Sequence, residues 1–312
     1  MSYETVEKKS ANAKSKEIDF MGLWPIATTF SLLLVLASIF IWFQKGEGRF
    51  GVDFTGGHEV VIKLSDSTKN ADDVRKSLNE AGFTDPLVQS FESGTGEYTI
   101  RFSTEDNALS SEALVRKVTE STVKTLGVVE VLKNDYVGPT IGKELRSKAL
   151  IGLGVALLAI LIFVSVRFEP SFAVGAVVAV LHDVIVATGV YLLAGFTLST
   201  GAMAAALTIV GYSVNDTVVI FDRVREEASK SKNYNLVSLF NHCMNAMLSR
   251  TIITSLLTLL SVIALYIFGG GAISDMSFFL LIGLISGSYS TIYIASPVVL
   301  AWHKFRGGSV DQ

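Results

Sequence analysis

The sequence predicts an α-helical polytopic membrane protein with six transmembrane helices and a small α+β domain outside the membrane. Half of the 312 residues are hydrophobic and the mean hydropathy is +0.47, although 18% of the residues are charged. The charges are concentrated in the N-terminal tail, in 45–148 and in 222–232, which leaves long apolar runs between them. Such a distribution is typical of a helical membrane bundle that carries one polar insert.

Six apolar runs are long enough to cross a bilayer as helices, which takes about 20 residues at roughly 1.5 Å each. The first run has Trp24 and Trp42 near its two ends, where aromatic rings anchor a helix at the membrane interface. It follows a polar N-terminus, which indicates an anchor that is retained rather than a cleaved signal peptide. The six predicted spans are Gly22–Phe43, Leu150–Val166, Phe172–Leu193, Leu198–Phe221, Ile252–Phe268 and Met276–Ala301.

The polar insert alternates between strand-like and helix-like segments. Short runs of alternating apolar residues predict strands, and two amphipathic segments predict helices. A Ser-Gly-Thr-Gly turn joins the second and third strands as a hairpin. The predicted elements are a strand at 59–64, a helix at 72–81, strands at 87–91 and 98–102, a helix at 111–126 and a strand at 128–132. The order βαββαβ predicts a ferredoxin-like fold.

Lysine and arginine are distributed unequally between the two sides of the predicted bundle. The short loops 194–197 and 269–275 hold none. The basic residues of the tails and of the opposite loops are Lys8, Lys9, Lys14, Lys16, Arg167, Arg223, Arg225, Lys230, Lys232, Arg250, Lys304 and Arg306. The positive-inside rule therefore places both termini in the cytoplasm. The predicted divisions are a cytoplasmic tail at 1–21, a first transmembrane helix at 22–43, a periplasmic domain at 44–148, transmembrane helices 2–6 at 149–301 and a second cytoplasmic tail at 302–312.

Residues 202–225, AMAAALTIVGYSVNDTVVIFDRVR, combine an apolar run with polar side chains at membrane depth. Tyr212, Asn215 and Asp216 lie where a lipid-facing helix would carry hydrocarbon. A carboxylate near the bilayer centre costs about 2.5–3.5 kcal/mol on insertion scales, so one that is kept usually faces a partner, a cavity or a proton path. The alternative is a helix that ends early, with Asp216 among the lipid headgroups. Span length disfavours this alternative, because a span of about 20 residues from Leu198 encloses Asp216.

Arg250 lies near the start of the fifth predicted span, and Asp216 lies near the end of the fourth. Both fall in the cytoplasmic half of a helical hairpin, at a depth where they could pair. An arginine favours the charged carboxylate and burial favours the neutral acid, so a balanced site can gain and lose a proton as the helices move. The alternative is a static ion pair that fixes helix packing. Thr254, Thr258 and Ser261 follow Arg250 on one helical face.

Two further polar features fall inside predicted spans. His182 and Asp183 lie near the middle of the third span. Asp183 needs a partner if it is buried as a charge. His182 is either a proton relay or a hydrogen-bonded packing residue. In the sixth span, Gly283 and Gly287 form a small-xxx-small pair beside Ser286, Ser288 and Ser290, suited to close helix packing. The supporting candidates around the Asp216–Arg250 proton-coupling pair are therefore Asn215, Asp183, His182 and Tyr212.

The sequence predicts neither an enzyme nor a protein that binds a metal, an organic cofactor or nucleic acid. Asp183 and Asp216 invite comparison with intramembrane aspartyl proteases, but Ser-Val-Asn-Asp stands where those carry Gly-x-Gly-Asp. Residues 138–144 resemble a phosphate loop but have one residue too few between the glycines, and Glu144 stands where Ser or Thr is required. The four histidines and one cysteine lack metal-ligand spacing, and the polar insert has no basic run.

Five sequence blocks carry a resemblance to a known family. They are FGVDFTGG (50–57), VGPTIGKELRSKAL (137–150), RFEPSFAVGAVVAVLHDV (167–184), GYSVNDTVVIFDRVRE (211–226) and LSRTIITS (248–255). Together they resemble the SecF family of bacterial protein-export membrane subunits, in the RND superfamily of proton-driven transporters. The resemblance implies that Asp216, in the Asn-Asp-Thr motif, and Arg250, in the Ser-Arg-Thr motif, are the family's intramembrane proton-coupling residues. It also implies a further carboxylate on a SecD partner.

The resemblance further implies a complex. SecD, with a related six-span bundle, would pair with this chain and associate with the SecYEG channel and YajC. The pair would use the proton-motive force to help preproteins across the membrane after the ATP-driven step, with protons as the coupling ion. Two other classes stay open: a stand-alone RND-type exporter of small molecules or lipids, for which a single domain at 44–148 is small, and a structural scaffold of the translocon.

Overall fold

The predicted fold class is confirmed by the computed structural model, in which a bundle of long helices carries an antiparallel sheet domain at one end. The structure describes residues 17–66, 68–83, 86–90, 96–102, 111–127, 129–230 and 235–306. We call the end of the bundle that carries the sheet the domain side, and the opposite end the tail side. Within the described residues, six helices are long and apolar enough to cross a membrane: span 1 (Met21–Gln44), span 2 (Pro139–Arg167), span 3 (Pro170–Leu193), span 4 (Thr200–Lys230), span 5 (Leu236–Phe268) and span 6 (Gly271–Phe305).

Spans 3, 4 and 6 form the centre of the bundle, and spans 1, 2 and 5 lie around them. About half of the most apolar stretch of each central span is buried, 56%, 56% and 50% respectively, whereas the outer spans bury 11% or less. Glycine allows close contact at the centre: a Cβ on Gly175 of span 3 would lie 2.8 Å from the carbonyl oxygen of Ala295 on span 6. The outer spans keep apolar surfaces, as helices that face hydrocarbon require.

Span 4 extends beyond the predicted apolar run at the tail side. It continues past Phe221 to Lys230 as one helix. Arg223 and Lys230 form ion pairs of 2.7–3.0 Å with Glu226 and Glu227, three or four residues away. Pairs at this spacing stabilise a solvated helix, so the helix continues beyond its hydrophobic segment.

Span 5 begins at Leu236, well before the predicted start at Ile252. The side chain of Asn235 caps the helix by accepting the N–H of Ser238 at 3.0 Å. The added turns are amphipathic and bury Phe240 against the tail side of the bundle. The apolar run alone therefore marked only the membrane part of a longer helix.

Residues 17–21, at the end of the predicted N-terminal tail, are bound to these first turns of span 5. The side chain of Asn241 accepts the N–H of Met21 at 2.9 Å and donates to Asp19 at 2.8 Å. Asn245 exchanges two hydrogen bonds with the backbone of the same segment. Since Met21 is also buried, this part of the tail belongs to the folded bundle.

The polar domain has the predicted βαββαβ order. Its elements are β1 (Gly57–Leu64), α1 (Ala71–Glu80), β2 (Leu87–Ser90), β3 (Glu97–Phe102), α2 (Ser111–Leu126) and β4 (Val129–Val137). The strands form one antiparallel sheet in the order β2-β3-β1-β4. Alternate residues of β1, among them Val60 and Ile62, pack against Leu114 of α2, as the two-residue period of a strand predicts.

Residues 50–57, FGVDFTGG, join the polar domain to the domain side of the bundle. The N–H of Gly51 donates to the carbonyl oxygen of Leu198 at 2.7 Å, and a Cβ on Gly51 would lie 3.0 Å from that same oxygen. The carboxylate of Asp53 accepts the N–H and the hydroxyl of Thr200 at 2.7 and 2.8 Å. Asp53 thereby caps the start of span 4, which fixes that helix to the polar domain.

His58 in β1 leads to a pH prediction for the polar domain. Its side chain is 1% exposed and its ring lies 4.4 Å from that of Tyr136, and burial lowers the pKa of His58 below its ordinary value. The folded domain therefore binds a proton at His58 more weakly than the unfolded chain, in which histidine titrates near about 6.5. We expect the sheet to lose stability as the pH falls below about 6.5, measured by hydrogen exchange of the β1 amides in the full chain.

The matched variant is His58→Gln, which has no group that titrates in this range. Its β1 amides should show opening free energies that do not change between about pH 8 and about pH 5 once intrinsic exchange rates are corrected for. If the opening free energies of the β1 amides depend equally on pH in the wild type and in His58→Gln, groups other than His58 cause the loss of stability.

Candidate functional site

The carboxylate of Asp183 lies near the middle of span 3 and is 0% exposed. Three serine hydroxyls donate to it: Ser286 to Oδ1 at 2.6 Å, and Ser213 and Ser290 to Oδ2 at 2.7 Å each. His182 Nδ1 lies 3.1 Å from Oδ1. Ser213 belongs to span 4 and the other two serines to span 6. This serine cage (Ser213, Ser286 and Ser290) therefore joins the three central spans.

The serine cage supplies what a buried carboxylate requires. An ionised carboxylate accepts about four hydrogen bonds, which matches three hydroxyls and one imidazole nitrogen. A hydrogen bond to a charged group contributes about 1.5–3 kcal/mol, and its loss leaves part of the charge unsolvated. The partner that the sequence required for Asp183 is therefore a set of three hydroxyls together with the His182 imidazole.

Two glycines of span 6 bring the serine cage together. A Cβ on Gly287 would lie 3.4 Å from the Cβ of Ser213 and 3.6 Å from Oδ2 of Asp183. A Cβ on Gly283 would overlap the side chain of Ile209 on span 4. The predicted small-xxx-small packing is confirmed, and the helix that it packs against is span 4.

Asp216 is also buried, but its polar surroundings are incomplete. It lies on span 4, three residues beyond Ser213 toward the tail side, and is 7% exposed. Its Oδ2 has no hydrogen-bond partner within the described part of the chain. Span 4 therefore contributes to both carboxylate sites. Its Ser213 hydroxyl donates to Asp183, whose two oxygens are both hydrogen-bonded. Asp216 follows one turn later, and one of its oxygens has no partner in the described residues.

The hydroxyl of Ser255 on span 5 faces Asp216. Ser255 Oγ accepts hydrogen bonds from the Tyr212 hydroxyl at 3.3 Å and from Ser288 Oγ at 3.0 Å. We call these four residues (Asp216, Ser255, Tyr212 and Ser288) the Asp216 cluster. It brings together spans 4, 5 and 6, as the serine cage brings together spans 3, 4 and 6.

Asp216 and Arg250 are not in direct contact, because among the described residues no nitrogen of Arg250 lies within 4.0 Å of a carboxylate oxygen, but the guanidinium is near enough to interact electrostatically with Asp216. Arg250 is exposed on the outer face of span 5 together with Thr254 and Ser261. These two hydroxyls bond to carbonyls of their own helix at 3.0 Å. A helix turns by about 100° per residue, so the face that packs into the bundle is that of Ser255, and the Arg250 face points outward.

The remaining candidates are not all gathered in one place. Tyr212 belongs to the Asp216 cluster, whereas Asn215 is exposed on the surface of span 4. His182 is 6% exposed and faces Asp183 through Nδ1. Its Nε2 is buried without a hydrogen-bond partner in the described residues. Their roles in proton coupling stay predictions.

Sequence reasoning missed the serine cage and the place of Ser255. Ser286 and Ser290 are four residues apart, which puts both hydroxyls on one face of span 6. That spacing was visible, but nothing in it indicated that the face meets Asp183 of span 3. Ser255 sits one residue from Thr254, and only the rotation of span 5 decides which of the two enters the bundle.

Comparison with known proteins finds relatives over nearly the whole chain. The family model described as "Protein export membrane protein SecD/SecF, C-terminal" matches residues 117–305. The "Protein translocase subunit SecF" of Rickettsia bellii (strain OSU 85-389) is 37% identical over 294 residues, which cover 93% of this chain and 95% of that protein. The protein of the same description from Pseudomonas aeruginosa is 38% identical over 292 residues, which cover 93% of each chain.

Solved structures of SecDF are also similar to this chain. The crystal structure of SecDF from Thermus thermophilus, described as a translocon-associated membrane protein, matches with a TM-score of 0.84 and 34% identity over 93% of this chain. SecDF in a super-membrane-facing form matches with a TM-score of 0.68 and 34% identity over 94% of this chain. The chain spans 39% and 40% of those two polypeptides.

Ser286→Ala tests the serine cage. The change removes one hydroxyl that donates to a buried carboxylate, so we expect the free energy of unfolding to fall by about 1–3 kcal/mol. Denaturant unfolding of the purified chain in detergent micelles measures the change. Ser261→Ala is the control, because its hydroxyl bonds to Leu257 on an exposed helix face, and we expect a change below about 0.5 kcal/mol. Equal losses in the two variants would contradict a supporting role for the cage.

Proposed function

The chain belongs to the SecD/SecF family of protein-export membrane proteins, and from this premise we propose that it is a SecF-type subunit that uses the proton-motive force to assist Sec-dependent protein translocation across the inner membrane. Protons are its coupling ion, and it performs no covalent chemistry and holds no metal or organic cofactor. The single observation that carries the proposal is Asp216, a carboxylate buried at mid-helix with an unpartnered oxygen.

The Asp216 cluster supports proton exchange better than a permanent structural role. A carboxylate kept for helix packing would be expected to have all its lone pairs matched, as those of Asp183 are. Asp216 instead has one unmatched oxygen beside the hydroxyls of Tyr212 and Ser255. Gaining a proton removes a charge that burial disfavours, so burial reduces the free-energy cost of protonating the carboxylate.

The outward direction of Arg250 supports a partner chain at this face of span 5. A guanidinium exposed on a membrane helix needs a carboxylate, water or lipid headgroups to satisfy it. We propose that SecD packs here, that one of its carboxylates meets Arg250, and that the proton passes between the two chains. The chain spans 39% of the SecDF polypeptide of known structure.

The proposed orientation follows the distribution of lysine and arginine. Both termini lie in the cytoplasm and the polar domain lies in the periplasm, where it contacts the preprotein as it emerges. SecYEG and YajC complete the proposed assembly. Because Asp53 caps span 4, movement of span 4 after a change of charge at Asp216 is passed directly to the polar domain.

Asp216→Asn tests the proton role. The amide has the shape of the acid but cannot exchange a proton, so we expect loss of proton conductance in membranes that hold the chain with SecD. Secretion in cells should lose its dependence on the proton-motive force. Asp222→Asn is the matched control on the same helix, since the Asp222 side chain is 56% exposed and paired with Arg225 at 3.1 Å. This variant should conduct and secrete as the wild type does.

Unchanged secretion by an assembled Asp216→Asn protein would refute the proton role and favour a structural scaffold of the translocon. Proton-driven efflux of small molecules by the chain without SecD would instead favour the stand-alone exporter.

A further inference from the structure

A cavity of about 450 Å³ lies between spans 1, 3 and 6, and His182 forms part of its wall. The wall is mostly apolar, with hydroxyls from Thr28 and Ser31 of span 1. The His182 side chain is 6% exposed, and its Nε2 has no hydrogen-bond partner in the part of the chain that the structure describes. The hydroxyls of Thr28 and Ser31 donate to oxygens of Trp24 and Tyr289, and Nε2 itself is enclosed, so the unpartnered nitrogen lies behind this apolar wall.

The other ring nitrogen determines where a proton can add. Nδ1 of His182 lies 3.1 Å from Oδ1 of Asp183, and an ionised carboxylate can only accept, so Nδ1 carries the hydrogen. Nε2 then holds the lone pair of the neutral ring. It is the basic atom of the pair, and it belongs to the side chain that lines the cavity.

The charge of Asp183 has no cationic partner among the described residues. Its contacts are the three serine hydroxyls and His182. On the helices packed against span 3, the titratable side chains near this depth are Tyr289 and Tyr293 of span 6 and Tyr212 and Asp216 of span 4, while spans 1 and 2 carry none between 24 and 43 or between 151 and 166. With a neutral ring the pair therefore carries one uncompensated negative charge in the bundle, which low dielectric disfavours.

We propose that His182 and Asp183 together form a second proton-binding site, separate from Asp216, that takes up its proton at His182 Nε2. The proton adds to the Nε2 lone pair and gives an imidazolium that stays hydrogen-bonded to the Asp183 carboxylate. The pair changes from a net charge of minus one to zero, and no covalent bond within it is broken.

The His182–Asp183 pair is positioned to influence Asp216. Ser213 donates to Asp183 from span 4, three residues before Asp216. When the pair becomes neutral, the carboxylate shares its charge with the imidazolium and attracts the Ser213 hydroxyl less. Proton binding at His182 thus loosens the hold of span 3 on the helix that carries Asp216. This coupling rests on the proposed function, whereas proton binding at His182 does not.

Nitrogen-15 NMR of the full chain in lipid vesicles, labelled at histidine, measures proton binding directly. The chain has four histidines, at 58, 182, 242 and 303, and the signal lost in His182→Asn is that of His182. We expect that signal to change from a neutral Nδ1–H ring to a doubly protonated ring as the pH is lowered from about 8 to about 5. Asp183→Asn should abolish the change over this range, because the carboxylate that compensates the imidazolium is gone.

Ser286→Ala is the matched control, since it removes a donor of the serine cage and keeps the carboxylate; it should retain the titration. A wild-type ring that stays neutral down to about pH 5 would overturn the proposal, whatever the variants do. The proposal would also be overturned if the His182 ring titrated identically in the wild type and in a folded Asp183→Asn protein.

The NMR titration and the conductance assay together separate this inference from the proposed function. If the His182 ring does not titrate but Asp216→Asn abolishes proton conductance, the second site is refuted and the proposed function stands. If the ring titrates and Asp216→Asn conducts as the wild type does, the second site stands and the proposed function is refuted.

Discussion

A carboxylate buried in the middle of a membrane bundle must be surrounded by hydrogen-bond donors, and the packing of spans 3, 4 and 6 provides them for Asp183. Each serine of the cage reaches its oxygen at 2.6–2.7 Å, which fixes the rotation and depth of its helix. Gly283 and Gly287 remove the side chains that would keep span 6 from span 4. The centre of the bundle is therefore specified by polar contacts, where apolar side chains alone would allow the helices to slide.

The two buried carboxylates have different surroundings, and this difference carries the functional interpretation. Asp183 has every lone pair matched, and the histidine beside it has a free nitrogen. Asp216 has an unmatched oxygen of its own and a guanidinium on the next helix that faces outward. Matched groups hold the helices together, whereas the unmatched groups are those on which the proposed proton binding and the proposed SecD contact rest.

Span 4 connects these features along one helix. Asp53 of the polar domain caps its first turn, Ser213 attaches its middle to span 3, and Asp216 follows one turn later. A rigid helix transmits a small displacement along its length. The FGVDFTGG segment, whose glycine spacing has no nucleotide-binding meaning, is thus explained as the joint between span 4 and the polar domain.

The sequence by itself determined the six spans, the βαββαβ domain, the family and the burial of Asp183 and Asp216, because hydrophobic length, strand period and the energetic cost of intramembrane charge are local properties. It underestimated spans 4 and 5, whose polar extensions depend on ion pairs and a cap. Only the tertiary structure decided which hydroxyls surround Asp183, and that Arg250 is exposed on span 5 without direct contact with Asp216. Those outcomes depend on the rotation of each helix about its axis, which is set by contacts between spans distant in sequence.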